Sequence, residues 1–199
     1  MQEILKEDEP NIDDMEKFKK FLSLMSNELE RCGNIVSGLL SFSRETPSAE
    51  TTIDLNDILQ AVISLTNHKM ELQNIRLITD LSPMPLVTMG DAGRLKQCFL
   101  NLIFNSIEAM PDGGQLRIIS KQYKSDKNIR IEIHDTGFGI AEENMGHIFD
   151  PFFTTKPQGE GTGLGLSIVY GVTKNHGGTV QVSSHTGKGS SFILNFPSR

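Results

Sequence analysis

The 199-residue chain has no tryptophan, two tyrosines and two cysteines. Two thiols cannot build the multi-bridge frame of a small secreted domain. Cys32 and Cys98 both fall in apolar helical stripes, the setting of packed, reduced thiols and not of a zinc site. No apolar run reaches the ~18 residues that span a bilayer. The opening Met-Gln-Glu-Ile-Leu-Lys-Glu lacks the make-up of a secretory signal, so a cytoplasmic setting is expected. There is no long basic run and the net charge is −6, so no nucleic-acid partner is expected. The common phosphate-binding signatures are missing too. No Gly-x-x-x-x-Gly-Lys-Ser/Thr occurs, and the one dense glycine string lacks Rossmann spacing and a strand close before it.

What is present fits a soluble α+β domain with an appendage, with 37% apolar and 22% charged residues. Residues 11–45 read as one helix. Phe18, Leu22, Met25, Leu29, Cys32, Val36 and Leu39 are spaced 4, 3, 4, 3, 4, 3, a heptad seam. The seam needs a partner, either the chain's own globular part or a second helix in a two-fold bundle; we favour the bundle. Residues 3–9 read as the tail of an earlier helix stopped by Pro10. Residues 47–52 read as a linker. Asp54 and Asp91 each stand where they would cap a helix, over 55–73 and up to 110. Strands are expected at 75–81, 86–88, 116–123, 129–134, 179–184 and 191–196. Further helices are expected at 142–148 and 164–175. Strands with helices on one face make a two-layer sandwich.

Three motifs carry chemistry. In the helix ending near 110, Gln97, Asn101, Asn105 and Glu108 share one face. Amides one turn apart suit the edge of a cleft, where an Asn carbonyl can join a Mg²⁺ shell. A solvated polar face is the plainer reading of this spacing alone. In the strand before 135, Ile129, Ile131 and Ile133 alternate with polar residues, which puts Asp135 on the isoleucine side. A buried carboxylate needs a partner, and an adenine amino group is a suitable donor. A surface turn is the weaker alternative. Gly137 and Gly139 leave room for a ligand. Third, Gly161, Thr162, Gly163, Leu164, Gly165 and Leu166 open a helix, whose free amides and dipole favour phosphate. Between the last two motifs, Phe149-Asp-Pro-Phe-Phe-Thr-Thr-Lys156 reads as a lid, with Thr154, Thr155 and Lys156 within reach of phosphate. An ordinary loop anchored by Phe149 and Phe152 is the other reading. Of the histidines, His68 and His147 are expected at the surface, and His134 points outward on its strand. His176 sits at a helix end in a capping role, and His185 lies in a turn.

Taken in order, these residues resemble the ATP-binding domain of two-component sensor histidine kinases. Asn101-Leu-Ile-Phe-Asn-Ser-Ile-Glu-Ala-Met110 resembles the N box, and Asp135-Thr-Gly-Phe-Gly-Ile140 the first glycine box. Phe149 to Lys156 resembles the F box and Gly161 to Leu166 the second glycine box. Gly187-Lys-Gly-Ser-Ser-Phe192 resembles the closing motif, with Ser190 where Thr is usual. The wording near Asn105 and Phe149 is most similar to kinases of the nitrogen-regulatory type.

The resemblance implies the Bergerat ATP-binding fold, with ATP and Mg²⁺ as ligands. It implies Asp135 on the adenine amino group, Asn105 on Mg²⁺, Asn101 on the phosphate and metal side, and the Gly161 loop over the phosphates. Ile140, Phe149 and Ser190 join the implied ATP-binding set. Residues 1–46 would be the C-terminal part of a dimerisation and phosphotransfer hairpin, and 47–199 the catalytic domain. The implied partners are a second copy of the chain through the helical bundle and a response-regulator receiver domain. None of the five histidines stands in the family's acceptor motif, so the chain reads as part of a longer kinase, and the resemblance allows a membrane anchor elsewhere in it. Glu108 stands where many relatives carry Lys. ATPases of the same fold place a water-activating Glu at the position of Asn101, which an amide cannot replace as a base. Such an ATPase, and a nucleotide-binding interaction module without kinase activity, are the alternatives.

Overall fold

The computed structural model describes residues 51–123, 128–157 and 161–199, together with positions 15, 17–19, 21, 22 and 25, which are helical. The remainder of the heptad helix, with Cys32, lies outside the described residues. At the described positions the stripe is open. Phe18 is 59% exposed, Leu22 50% and Met25 62%, so these side chains are not covered by the chain's own domain.

The elements run β1 (Thr51–Asp54), α1 (Leu55–Leu72), β2 (Ile75–Asp80), β3 (Val87–Gly90), α2 (Ala92–Glu108), β4 (Gly114–Tyr123) and β5 (Asn128–Asp135). A single 3₁₀ turn (Glu142–Asn144) follows, then α3 (Gly165–Asn175), β6 (Thr179–His185) and β7 (Gly189–Pro197). Five strands form one sheet in the order β2-β4-β5-β7-β6. The β2–β4 pair is parallel and the other three pairs are antiparallel. β1 and β3 form a separate antiparallel pair.

Alternation builds the interior. Ile129, Ile131 and Ile133 on β5 are fully buried, with Leu116 and Ile118 on β4 and Leu194 and Phe196 on β7 beside them. The helices cover this face. On α2, Leu95, Phe99, Leu102, Ile103 and Ile107 turn into the sheet, and Phe99 meets Phe196 edge-on at 6.3 Å between ring centres. Each such side chain contributes roughly 1.5–3 kcal/mol by leaving water. Gln97, Asn101, Asn105 and Glu108 stay outside this packed face, the first three half-buried and Glu108 exposed.

Both aspartate caps are made. The Asp91 carboxylate accepts from the N–H groups of Gly93 (2.8 Å) and Arg94 (3.1 Å). Asp54 Oδ1 accepts from Asn56 N–H at 2.9 Å and from Leu86 N–H at 3.0 Å, so one side chain starts α1 and fixes the approach to β3. His176, at the end of α3, has a role beyond its own helix. Its Nδ1–H donates to the Val172 carbonyl at 2.7 Å. Its Nε2 accepts from Asp91 N–H at 3.0 Å, a bond that only an unprotonated nitrogen can accept. One imidazole thus joins the C-terminus of α3 to the N-terminus of α2. Cys98 lies where these two helices touch, fully buried near the Thr173 hydroxyl, and burial pushes its thiol up to about 12. It is a packing group with no thiolate chemistry at neutral pH.

Two expectations change. Residues 51 and 52, expected in a linker, begin β1, because Thr-Thr-Ile is β-branched and finds β3 alongside. The helix expected over 142–148 is only the turn Glu142–Asn144. Gly146 falls within it and Pro151 follows soon after. The chain then descends through consecutive turns, His147 N–H to Asn144 and Asp150 N–H to His147, both at 2.9 Å.

The C-terminal residues return to the β1–β3 pair. Thr88 Oγ1 donates to the Pro197 carbonyl at 2.8 Å, and Arg199 N–H donates to Val87 at 3.0 Å. The Arg199 guanidinium donates to Thr52 Oγ1 at 3.0 Å.

Candidate nucleotide site

A cavity of about 350 Å³ opens between α2, the end of β5, the segment 153–156 and the start of α3. It has an apolar end and a polar end.

Asp135 closes the apolar end. It is the last residue of β5 and is only 7% exposed. Oδ1 accepts from Gly137 N–H at 2.9 Å and from Ser190 N–H at 3.1 Å. Oδ2 accepts from the Ser106 hydroxyl at 3.3 Å. Burial raises the carboxyl above its ordinary 3.8; the Gly137, Ser190 and Ser106 hydrogen bonds, then the nearby His134, pull the other way. Ile140, Ile148, Phe153, Ile168 and Phe192 are among the apolar side chains that line the cavity. Gly139 makes the turn after Asp135 at φ +72°, and a Cβ there would stand 2.2 Å from the His185 carbonyl oxygen. Only glycine fits. The other side of the corner is held by Ser184, whose hydroxyl accepts from Ile140 N–H at 2.8 Å and lies 3.0 Å from Ser190 Oγ.

The polar end lies between α2 and α3. Asn101 Nδ2 donates to the Gly165 carbonyl at 3.3 Å, which fixes the start of α3 against α2. Asn105 faces the same place: a Cβ on Gly165 would stand 3.7 Å from its Nδ2. Its amide has no hydrogen-bond partner among the described residues. α3 has no side-chain cap, so its first-turn N–H groups are left without a capping acceptor where Gly163, Leu164, Gly165 and Leu166 line the cavity. Gly163 (φ +64°) passes so close to Phe152 that a Cβ would stand 2.3 Å from that residue's carbonyl carbon. Phe152 itself is held at φ +68° with its ring 64% exposed.

Most of the residues expected from the sequence meet here. Asn101, Asn105, Asp135, Gly139, Ile140, Thr154, Thr155, Lys156, Gly161, Thr162, Gly163, Leu164, Gly165, Leu166 and Ser190 all line the cavity. Gly137 does not; it serves the corner through its N–H. Phe149 does not either. It packs on the core and on Tyr170, 5.4 Å between ring centres, while Phe153 occupies the cavity wall. The anchors of this segment are therefore Phe149 and Phe153, not Phe152. Three polar lining groups were not expected: Ser106, Asn144 and Lys69. Lys69 comes from the last turn of α1 and lies 4.9 Å over the Phe104 ring. No sequence spacing announces it, because α1 and α2 meet only in the fold.

Residues 90–199 match the family described as histidine kinase-, DNA gyrase B-, and HSP90-like ATPase. The chain belongs to this family. Within it, the similarities are to histidine kinases. The chain is 37% identical over 175 residues to the sensor histidine kinase ZraS of Escherichia coli, covering 87% of this chain and 37% of ZraS. The solved catalytic domain of histidine kinase ThkA superposes with a TM-score of 0.67 at 34% identity, over 76% of this chain and 97% of that one. ThkA in complex with the response regulator protein TrrA superposes with a TM-score of 0.74 at 30% identity, over 96% of this chain and 53% of that one. The histidine kinase-type ATPase fold is thus the fold of this domain, and ATP use is the property of its family. The chain spans little more than a third of the length of ZraS. Among the described residues, no helix is long and apolar enough to cross a membrane.

Proposed function

We propose that this chain is the ATP-binding catalytic part of a sensor histidine kinase. It would pass the γ-phosphoryl group of ATP to a histidine outside these 199 residues, for relay to an aspartate on a response regulator. The carrying observation is Asp135. Its Oδ1 is committed to two backbone N–H groups, and among the described residues its Oδ2 accepts only the Ser106 hydroxyl, beside an apolar slot. A ring bearing an exocyclic amino group complements that slot. Guanine presents a carbonyl at the same place and would set acceptor against acceptor.

At the polar end, the free N–H groups of α3 and the side chains of Thr154, Thr155 and Lys156 suit phosphate. The unpartnered amide of Asn105 fits a metal-bound triphosphate, and Asn105 is the residue that would hold Mg²⁺. When bound, the ion would neutralise phosphate charge. Asn101 supports transfer over hydrolysis. It has no basic group to activate water, and its amide is already engaged with Gly165.

The ThkA–TrrA complex supports a receiver domain as the partner. The open stripe of Phe18, Leu22 and Met25 supports residues 1–46 as a dimerising hairpin segment beside a catalytic domain at 47–199; both would work in a cytoplasmic setting. The wording around Asn105 and Phe149 supports the nitrogen-regulatory type.

Calorimetry with Mg-ATP and Mg-GTP tests the site. ATP should bind in preference, and Asp135→Asn should weaken it by about 1.5–3 kcal/mol, the worth of a hydrogen bond to a charged group. Equal affinity for GTP would remove the adenine assignment. Labelled ATP mixed with a polypeptide carrying the acceptor helix should label that helix. Steady hydrolysis without transfer would favour the ATPase reading.

A further inference from the structure

We propose that Glu108 sets the affinity of the site for triphosphate by holding Lys156 as a counter-ion that the incoming phosphates must take over. The inference rests on the ATP reading above. Glu108 is three residues beyond Asn105 on α2 and so one turn further along the same face. Its Oε2 is ion-paired with Lys156 Nζ, which bridges α2 to the segment that follows Phe153. Both side chains line the cavity.

The charges in the cavity are evenly matched. Asp135 is engaged at the apolar end. The lysines that line the cavity are Lys69, which has no ion pair among the described residues, and Lys156, which is neutralised by Glu108. A bare carboxylate in this position would repel phosphate. Paired, it does not, but it withholds the cation that phosphate would otherwise meet.

The pair is built to exchange. Glu108 is 40% exposed and Lys156 34%, so water screens their attraction and the contact is weak. A triphosphate carries several negative charges against the one on Glu108, and Lys156 follows them. The exchange also lies against backbone. A Cβ on Gly161 would lie 2.5 Å from Thr154 Oγ1 and 3.2 Å from Lys156 Cδ, so residues 154–156 pack directly on the start of the glycine loop. Transfer of Lys156 from carboxylate to phosphate therefore takes place in contact with that loop. Glu108 is a positioning residue for Lys156, not a group that reacts.

The test is a four-protein cycle in the full chain: unmodified, Glu108→Gln, Lys156→Met and the double variant. Dissociation constants are measured for Mg-ATP and for adenosine at low and high salt. Glu108→Gln should tighten Mg-ATP by roughly threefold, the scale of an exposed ion pair, with adenosine unchanged. Lys156→Met should weaken Mg-ATP by roughly tenfold, because it loses a charged contact and leaves Glu108 bare. The double variant should recover part of that loss, and every difference should shrink at high salt. Weaker Mg-ATP binding by Glu108→Gln, or equal shifts for ATP and adenosine, would overturn the proposal, since a purely structural pair predicts those results. Failure of the unmodified chain to bind Mg-ATP would instead overturn the site reading beneath it.

Discussion

Asp135 accepts three hydrogen bonds from its own protein and is still raised above 3.8, because burial outweighs them. The sign has consequences. The folded protein holds this proton more tightly than an unfolded chain does. The stability the group contributes is therefore lowest above its folded value and recovers as pH falls through that value. On the proposed adenine contact, ATP affinity runs the other way, because an amino group there needs the ionised acceptor. Affinity should decline on acidification from a pH above 3.8. Asp135→Asn should bind more weakly at neutral pH and lack this decline. A pH series of dissociation constants checks it, and parallel curves for the two proteins would count against the role. Strand alternation was enough to point Asp135 inward, and four-residue spacing was enough to bring Asn101 and Asn105 together. Ser106 was hidden, since it lies on the neighbouring face of the helix and meets Asp135 only across 29 positions of chain. Phe149 and Phe153 look equivalent in a run of aromatics; only packing decides which one reaches the cavity.

Helix starts were readable because an aspartate before an apolar stripe has a local physical meaning. The Asp54 cap extends beyond its helix, as its second hydrogen bond reaches Leu86. Asp54→Ala should lower unfolding stability by about 1–2 kcal/mol, at the upper end for a lost N-cap. Urea unfolding should show a shifted midpoint with an unchanged slope. An unshifted midpoint would mean that the cap adds nothing. Asn56 belongs to the same corner. Its amide donates to the carbonyls of Ser82 (3.0 Å) and Met84 (3.1 Å) and accepts from Ser120 at 2.7 Å. That network carries no sequence signature, because its members are far apart along the chain. β1 was missed for a related reason: four residues make a strand only when β3 lies beside them. The turn at 142–144 shows the opposite failure, a local pattern too short to propagate past Gly146.

The described part of the N-terminal helix presents Phe18, Leu22 and Met25 to solvent, while the nucleotide cavity is lined from residue 69 onward. Association and nucleotide binding should therefore separate. Residues 47–199 alone should bind ATP with the affinity of the full chain, and only the full chain should show concentration-dependent association. Sedimentation and calorimetry on both proteins test this. A tenfold loss of ATP affinity on removing 1–46 would show that the helix completes the site. The return of the C-terminal residues has a mechanical meaning. Arg199 is bonded to Thr52 and Val87, so the strand on which the chain comes in and the residues on which it finishes share one corner. The sheet, the three helices and the cavity hang from that corner as a flag hangs from its hoist. A load applied at Thr51 therefore passes first to β3 and to Arg199, before it reaches any strand of the five-stranded sheet.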